Sequence, residues 1–243
     1  MSGSLPALRP ARLHPFGLVA KWLTGRDILE TLGWRRAVLE AGPWLLDRRY
    51  TFFRYDLRKV PAIRPAAIPI ELERAGAGNL SDFLALRPGY YTRRLLEKRL
   101  DRGHVGYLIR SGGRPVLSRW IFLQRVYLPY FRRTLVLGER DAYTDETFTA
   151  RPFRRMGIFS ASLSLTQAAV REMGLEWNFA AVASWNATPL KDVPRAGGIA
   201  FGGCRIIRRR GRRSVIWTGG VDDRGDGTIA FLEPDDQPGF STT

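Results

Sequence analysis

One cysteine, Cys204, and two histidines, His14 and His104, are all that 243 residues offer for sulfur or imidazole chemistry. A single cysteine excludes an intrachain disulfide and a cysteine-based zinc site, and it fits a reducing, cytoplasmic setting. The histidines lie far apart with no carboxylate cluster beside either, which removes a histidine metal centre and a Ser-His-Asp triad. Chemistry is left to backbone, carboxylates, Tyr, Ser or a bound co-substrate, and no metal is expected. No apolar run approaches the roughly 18 to 20 residues that span a bilayer. Met1 to Phe16 carries Arg9, Arg12 and three prolines but no continuous apolar stretch, so it does not read as a secretory signal. A soluble protein is expected.

Lysine is scarce as well: Lys21, Lys59, Lys98 and Lys191 are the only ones among 39 basic residues, which stand against 23 acidic ones for a formal charge of +16. Arginine in this number points either to an anionic partner or to a codon bias. The arginines are spread along the chain rather than gathered in one stripe, and nothing matches a recognised nucleic-acid motif. A nucleic-acid-binding module is therefore the weaker of two readings, separable by a salt-dependent interaction with DNA or RNA.

The length suits one domain with an appendage. Residues 1–49 read as an N-terminal extension: a Pro- and Arg-rich arm, then short amphipathic helices from Gly17 to Leu46. There Lys21, Trp22, Arg26, Trp34 and Arg35 would allow peripheral membrane contact or simple packing on the domain. The domain proper is expected over 50–218. Strands are expected at Tyr50 to Leu57 and Ile68 to Arg74, helices at Asn79 to Leu86 and Tyr90 to Arg102, and a hairpin at Val105 to Phe122 turning at Ser111-Gly112-Gly113. Strand residues at Leu135 to Leu137 and Ala142 to Thr149 lead to a helix with apolar stripes (Ile158, Ala161, Leu165; Phe159, Leu163, Val170) closed by Gly174. A strand at Glu176 to Ala183 completes a βαβ unit. After Asn186 follow a short helix and strands at Ile199 to Ile207 and Ser214 to Thr218. The turn between them, Arg208 to Arg213, reads as an anion site or a solvated hairpin tip. Residues 219–243, with Asp222, Asp223, Asp226, Asp235 and Asp236, read as an acidic mobile tail.

The richest segment runs from Thr147 through Phe148, Thr149, Pro152, Arg154, Arg155, Met156 and Gly157 to Ile158 and Phe159. It is a strand end, a proline turn and a basic loop opening a helix. Its physics is anion capture, because the first turn of a helix has unsatisfied N–H groups and a partial positive charge. The dipole contributes about 0.3 to 1 kcal/mol. Arg154 and Arg155 can add charge-assisted bonds, and Gly157 lets backbone approach phosphate without a Cβ in the way.

At these residues the chain resembles the GNAT superfamily of N-acetyltransferases, whose acetyl-CoA motif is [Arg/Gln]-x-x-Gly-x-[Gly/Ala] at a helix start. Arg154-x-x-Gly157 fits. Asn186 follows the next strand as the family's CoA-contacting Asn does, and Gly197-Gly198-Ile199-Ala200-Phe201 is similar to the family's Gly-Phe before its sixth strand. The resemblance covers about residues 68 to 207. It departs at Phe159, which replaces the second small residue, and between Ala187 and Arg195, where the family's frequent thiolate-protonating Tyr has no counterpart.

The resemblance implies an α/β fold: a mixed, mostly antiparallel sheet of six or seven strands with helices on both faces and a V-shaped opening between the central parallel strands. It implies acetyl-CoA or another acyl-CoA as co-substrate, an amine acceptor that the sequence does not identify, and direct attack without a covalent enzyme intermediate. Pantetheine would lie beside Thr147, Phe148 and Thr149, the diphosphate would sit on the amides of 154 to 158, and Asn186 would touch CoA. Asp145, Glu146 and Asp141 are the candidate bases for deprotonating the amine, a step worth roughly 4 to 5 kcal/mol at pH 7 for a Lys-like group. Alternation places Asp141, Tyr143 and Asp145 on one face and Glu146 on the other. A catalytically silent CoA-binding protein of the same fold stays open beside the enzyme. Tyr90 and Tyr91 either line an acceptor pocket or pack in the core, and Cys204 reads as a packed thiol.

Overall fold

The computed structural model describes residues 47–59, 65–209 and 212–232. The expected extension helices, Arg210, Gly211 and everything after Leu232 lie outside them. Two sheets organise the chain. The larger has eight strands: β1 (Asp47–Asp56), β2 (Glu71–Arg74), β3 (Val105–Ser111), β4 (Arg114–Leu123), β7 (Asp141–Thr149), β8 (Trp177–Ala183), β9 (Ile199–Arg209) and β10 (Arg212–Gly219). Their order is β10-β9-β1-β8-β7-β4-β3-β2, antiparallel throughout except at β7 and β8. A smaller sheet, ordered β11-β12-β6-β5, comprises β5 (Arg125–Leu128), β6 (Arg133–Val136), β11 (Val221–Asp223) and β12 (Thr228–Phe231).

Parallel neighbours cannot be joined by a tight turn and need a crossover. Helix α3 (Ile158–Glu172) supplies it between β7 and β8, ending at Gly174 in the left-handed region. Helices α1 (Leu80–Leu86) and α2 (Arg93–Asp101) cover one face of the large sheet, where Leu80, Phe83 and Leu96 pack with Trp120, Phe122 and Tyr143. On the other face α3 and α4 (Ala187–Arg195) bring Leu163, Val170 and Val193 against Phe53, Ile121 and Val182. This is the mixed, mostly antiparallel sheet with helices on both faces that the resemblance implies. Its strand number is eight rather than six or seven, because β1 and the β9–β10 hairpin extend it on one side. Among the described residues no helix is long and apolar enough to cross a membrane.

Three local expectations are corrected. Residues 221–223 and 228–231 are strands, not tail: Ile229 is fully buried, and β12 lies parallel to β6. The apolar Ile229, Ala230 and Phe231 outweigh the flanking aspartates, of which Asp223 is held by Arg133 and Trp217. Helix α2 begins at Arg93, not Tyr90, since the Thr92 hydroxyl accepts the Leu95 N–H and caps it there. Strand β2 starts at Glu71 instead of Ile68, after the proline-containing stretch. The β3–β4 turn falls on Gly112 and Gly113 as expected, both with positive φ.

Candidate active site

The parallel pairing of β7 with β8 runs only from Asp141↔Trp177 to Thr144↔Ala180. Beyond it β7 stays on β4, through Trp120↔Asp145, Ser118↔Phe148 and Leu117↔Thr149. β8 meanwhile stays on β1, through Phe52↔Ala181 and Tyr50↔Ala183. The two strands part, and residues 145–149 have no β8 partner. A bulge drives this: Glu146 and Thr147 together face the single residue Arg119, and Glu146 takes φ +53°.

The same bulge breaks the alternation expected along β7. Glu146 does not point away; its carboxylate meets the Arg99 guanidinium of α2 through two bonds, 2.7 and 2.8 Å. Arg99 lies over the Trp120, Tyr91 and Phe122 rings, so Glu146 shares the face of Tyr143 and Asp145. Burial alone would raise the Glu146 carboxyl, but the Arg99 charge and bonds hold it below its ordinary value. A carboxylate so engaged is a poor base. Asp141 stands at the closed end of β7, where it accepts the Gly138 N–H at 3.0 Å, and is not brought together with the other two. Asp145 is at the fork itself. Burial first, then the neighbouring Glu146 charge, push its carboxyl up to about 6, against the bonds it accepts from Tyr130 and from the Glu146 N–H. That pKa suits general-base work near neutrality.

After β7 the chain makes a short 3-10 turn at Arg151–Phe153 and enters α3 through Gly157, with φ +72°. The first intrahelical bond is Ala161 N–H to Gly157 O. The N–H groups of residues 155–160 have no hydrogen-bond partner among the described residues, so six backbone donors are presented at one helix start. Residues 65–67 brace the loop, Ala67 donating to Met156 O at 2.9 Å. Arg154 donates to Thr149 O at 3.1 Å and lies 5.8 Å from the Phe148 ring, while Arg155 and Gly157 are exposed. Ile158 is a core residue, packed with Ile109, Val116 and Leu117, so only its backbone is free to face a ligand. Phe159 packs against the α3-side core. Asn186 follows β8 and precedes α4, its N–H bonded to Ala183 O.

Sequence reasoning missed Arg119. Its side chain is 1% exposed. It donates from Nε to Thr147 Oγ1 (3.1 Å) and from its terminal nitrogens to Ser162 O (3.0 Å), Thr166 Oγ1 (2.9 Å) and Ser162 Oγ (3.1 Å). All four acceptors are neutral. This guanidinium ties the bulge of β7 to the first turns of α3 and leaves a positive charge in the interior. Burial lowers its pKa to about 10. The available signal was an Arg, next to Ser118, inside the otherwise apolar run Val116 to Leu123. Tyr130 was missed too, because it sits at a hairpin tip that no pattern marked; its hydroxyl reaches Asp145 Oδ2 at 2.5 Å. Tyr91 is core, and Tyr90 packs edge-on against it. Cys204 is a buried thiol whose pKa burial pushes up to about 12. In the Arg-rich hairpin, Arg213 is not a solvated tip residue; it donates to Tyr130 O and Phe131 O at 3.1 and 2.9 Å.

No protein-family model matches the chain, and no curated protein matches it. Solved structures repeatedly named as GNAT-family acetyltransferases are similar to it. One, from Colwellia psychrerythraea, is 13% identical with a TM-score of 0.48, covering 71% of this chain and 56% of its own. A GCN5-related N-acetyltransferase from Sphaerobacter thermophilus is 13% identical with a TM-score of 0.46, covering 75% and 55%. An aminoglycoside acetyltransferase from an uncultured soil metagenomic sample, in complex with sisomicin, is 16% identical with a TM-score of 0.41, covering 52% and 86%. The chain thus spans little more than half the length of the first two. Likeness at this level says nothing of chemistry, which rests on the site's own geometry.

Proposed function

We propose that this protein is an acyl-CoA-dependent N-acyltransferase of the GNAT type, moving an acetyl or related acyl group from CoA to an amine by direct attack. One observation carries the reading: six N–H groups at the start of α3, without a hydrogen-bond partner among the described residues, lie next to the fork where β7 leaves β8. A diphosphate on those amides, flanked by Arg154 and Arg155, leaves the pantetheine arm beside Thr147, Phe148 and Thr149. There it can complete the hydrogen bonding that β8 does not supply, and Asn186, which follows β8, would contact CoA. A thioester carbonyl polarised by a β7 N–H near Phe148 develops its oxyanion against a fixed dipole. Asp145 receives the amine's proton.

The test is calorimetric titration with CoA. The wild type binds; Arg154→Glu and Gly157→Val, checked for folding by thermal melting, lose at least tenfold in affinity. Failure of the wild type to bind refutes the reading. Acetyl-CoA with an amine panel, followed through free thiol, then separates an enzyme from a silent CoA binder.

A further inference from the structure

Asp145 is held at both carboxylate oxygens. Oδ1 accepts the Glu146 N–H at 2.7 Å, and Oδ2 accepts the Tyr130 hydroxyl at 2.5 Å. Tyr130 has one hydroxyl hydrogen to give, so in its 2.8 Å pair with the Tyr143 hydroxyl it is the acceptor. Tyr130 stands in the connection between β5 and β6, closed by the Phe131 and Arg132 N–H groups on Leu128 O, and its ring stacks on Tyr50 with centroids 5.5 Å apart. Arg213, on the edge strand β10, donates from one nitrogen to Tyr130 O at 3.1 Å and to Phe131 O at 2.9 Å. Resting on the acyltransferase reading above, we propose that Tyr130 and Arg213 are positioning residues for the base: Tyr130 sets the orientation and charge of the Asp145 carboxylate, and Arg213 fixes Tyr130 from the edge of the sheet.

Orientation comes first. A carboxylate bonded at both oxygens cannot turn about its Cβ–Cγ bond without breaking one of them, so its remaining lone pairs keep fixed directions. A base that must meet an amine at one place needs this. In the proposed step the amine's surplus proton bonds to one of those lone pairs, while the Tyr130 hydrogen stays on Tyr130. Charge is the second contribution. Burial first, then the Glu146 charge, favour the protonated carboxyl; the bonds from Tyr130 and from the Glu146 N–H oppose them and leave it at about 6. Without the Tyr130 hydroxyl, the same burial and repulsion hold more of Asp145 protonated at neutral pH, and a protonated carboxyl takes no proton from an amine.

The charged and titratable groups facing Asp145 are Glu146 of β7 with Arg99 of α2, Tyr143 of β7, Tyr130 of the β5–β6 connection, Tyr50 of β1 and Tyr90 ahead of α2. Among the described residues only Tyr130 gives Asp145 a side-chain hydrogen bond. Arg99 is engaged by Glu146 through two bonds. The anchor of Tyr130 is equally particular. Arg213 is half-buried and directs a guanidinium nitrogen at two carbonyls, where a hairpin arginine ordinarily points to water. Phe131, whose carbonyl shares that nitrogen, is fully buried against Phe52 and Trp217, so the connection cannot shift without disturbing the core.

The experiment reads Asp145 directly. The carbon-13 carboxyl resonance that disappears in Asp145→Asn is titrated in wild type, Tyr130→Phe, Arg213→Met, Arg213→Lys and Arg212→Met, with thermal melting and CoA affinity measured for each. Tyr130→Phe is expected to move the midpoint up by about one pH unit or more. Arg213→Met moves it the same way by less, and Arg213→Lys, which can still donate to both carbonyls, restores most of the difference. Arg212→Met, exposed on the other face of β10, leaves the midpoint in place. CoA affinity is unchanged throughout, and with any amine that the free-thiol assay accepts the acid limb of kcat/KM follows the carboxyl midpoint. A midpoint that is the same in folded Tyr130→Phe as in wild type overturns the proposal. Where Tyr130→Phe does not fold, Arg213→Met carries the same test, and an unmoved midpoint overturns it likewise. Equal displacements in Arg213→Met and Arg212→Met overturn the part given to Arg213. A wild type that binds no CoA overturns the acyltransferase reading, and with it the role of Asp145 as base, whatever the midpoints show.

Discussion

Replacing Arg119 with Met separates two consequences of one buried charge. The side chain is 1% exposed, its acceptors are neutral, and burial takes its pKa well below the ordinary value to about 10. At 1.36 kcal/mol per pH unit, that displacement corresponds to about 3 kcal/mol against the charged form in the folded state. Because the folded pKa lies below the unfolded one, this penalty is complete at neutral pH and fades only as the pH rises above about 10. Four hydrogen bonds to neutral acceptors, at about 1 kcal/mol net each, sum to about 4 kcal/mol and roughly offset it, and Met recovers the packing volume. Arg119→Met is therefore expected to alter unfolding free energy by no more than about 1.5 kcal/mol, far less than the loss of an ion-paired arginine. CoA affinity should respond more. A guanidinium acting on a phosphate about 10 Å away at an effective dielectric of 20 contributes about 1.7 kcal/mol, or roughly a tenfold loss. Urea unfolding and CoA calorimetry measure the two quantities, and pantetheine, which lacks the diphosphate, serves as control. Destabilisation above about 3 kcal/mol would refute the account of an uncompensated charge. Unchanged CoA affinity, or an equal loss for pantetheine, would refute the electrostatic part.

The remaining perturbations probe the fork. Asp145 has a folded pKa of about 6 against 3.8 for the free group, so the folded state holds the extra proton between those values and the charged carboxylate is a burden above pH 6. Asp145→Asn is expected to stabilise the protein by about 2 kcal/mol at pH 7.5, with the gain shrinking toward zero near pH 4 in denaturant melts at several pH values. In the proposed reaction, wild-type turnover should fall as the pH drops through about 6, where that base is protonated. Arg99→Met leaves Glu146 charged and unpaired beside Trp120 and Tyr91; a loss of about 3 kcal/mol or more in urea unfolding is expected, and Glu146→Gln in the same background should restore part of it. Gly157→Ala costs about 1 to 2 kcal/mol, because φ is +72° while a Cβ there would meet Pro65 O only at 3.5 Å. Gly157→Asn should cost less.

Much of the fold was legible because its signals are local. The Ser111-Gly112-Gly113 turn lies between two apolar runs, and the β3–β4 hairpin forms on it. The stripes from Ile158 to Val170 fix α3, since Ile158, Leu163 and Val170 pack in the cores beneath it. Apart from the strand residues expected at Leu135 to Leu137, which fall on β6, the small sheet was not legible, for the opposite reason. β5 is a four-residue strand that alternates exposed Arg125 and Tyr127 with buried Val126 and Leu128, and it is stabilised by β6 and then by β12, about a hundred residues away. Pairing over such a separation leaves no periodic mark, and the aspartates around 222–226 disguised the strands they flank. Arg133 and Trp217, which hold Asp223, are themselves far from it or on another strand.

The site divides along the same line. The loop before α3 is built of consecutive residues, so its glycine and helix start were readable from sequence, and an anion site there is a proposal that needs no distant residue. Proton handling is a property of packing. A bulge of one residue turned Glu146 from the outer face to Arg99, and no alternation rule foresees a residue held at φ +53°. That same bulge leaves Asp145 at the end of the paired segment, in an aromatic wall built by β7, the β5–β6 tip and β1, where desolvation sets its pKa. Tyr130 and Tyr143 join Asp145 in one continuous hydrogen-bonded line drawn from two elements, around the one carboxylate there whose pKa is pushed up toward neutrality, and no spacing rule along the chain brings those three together.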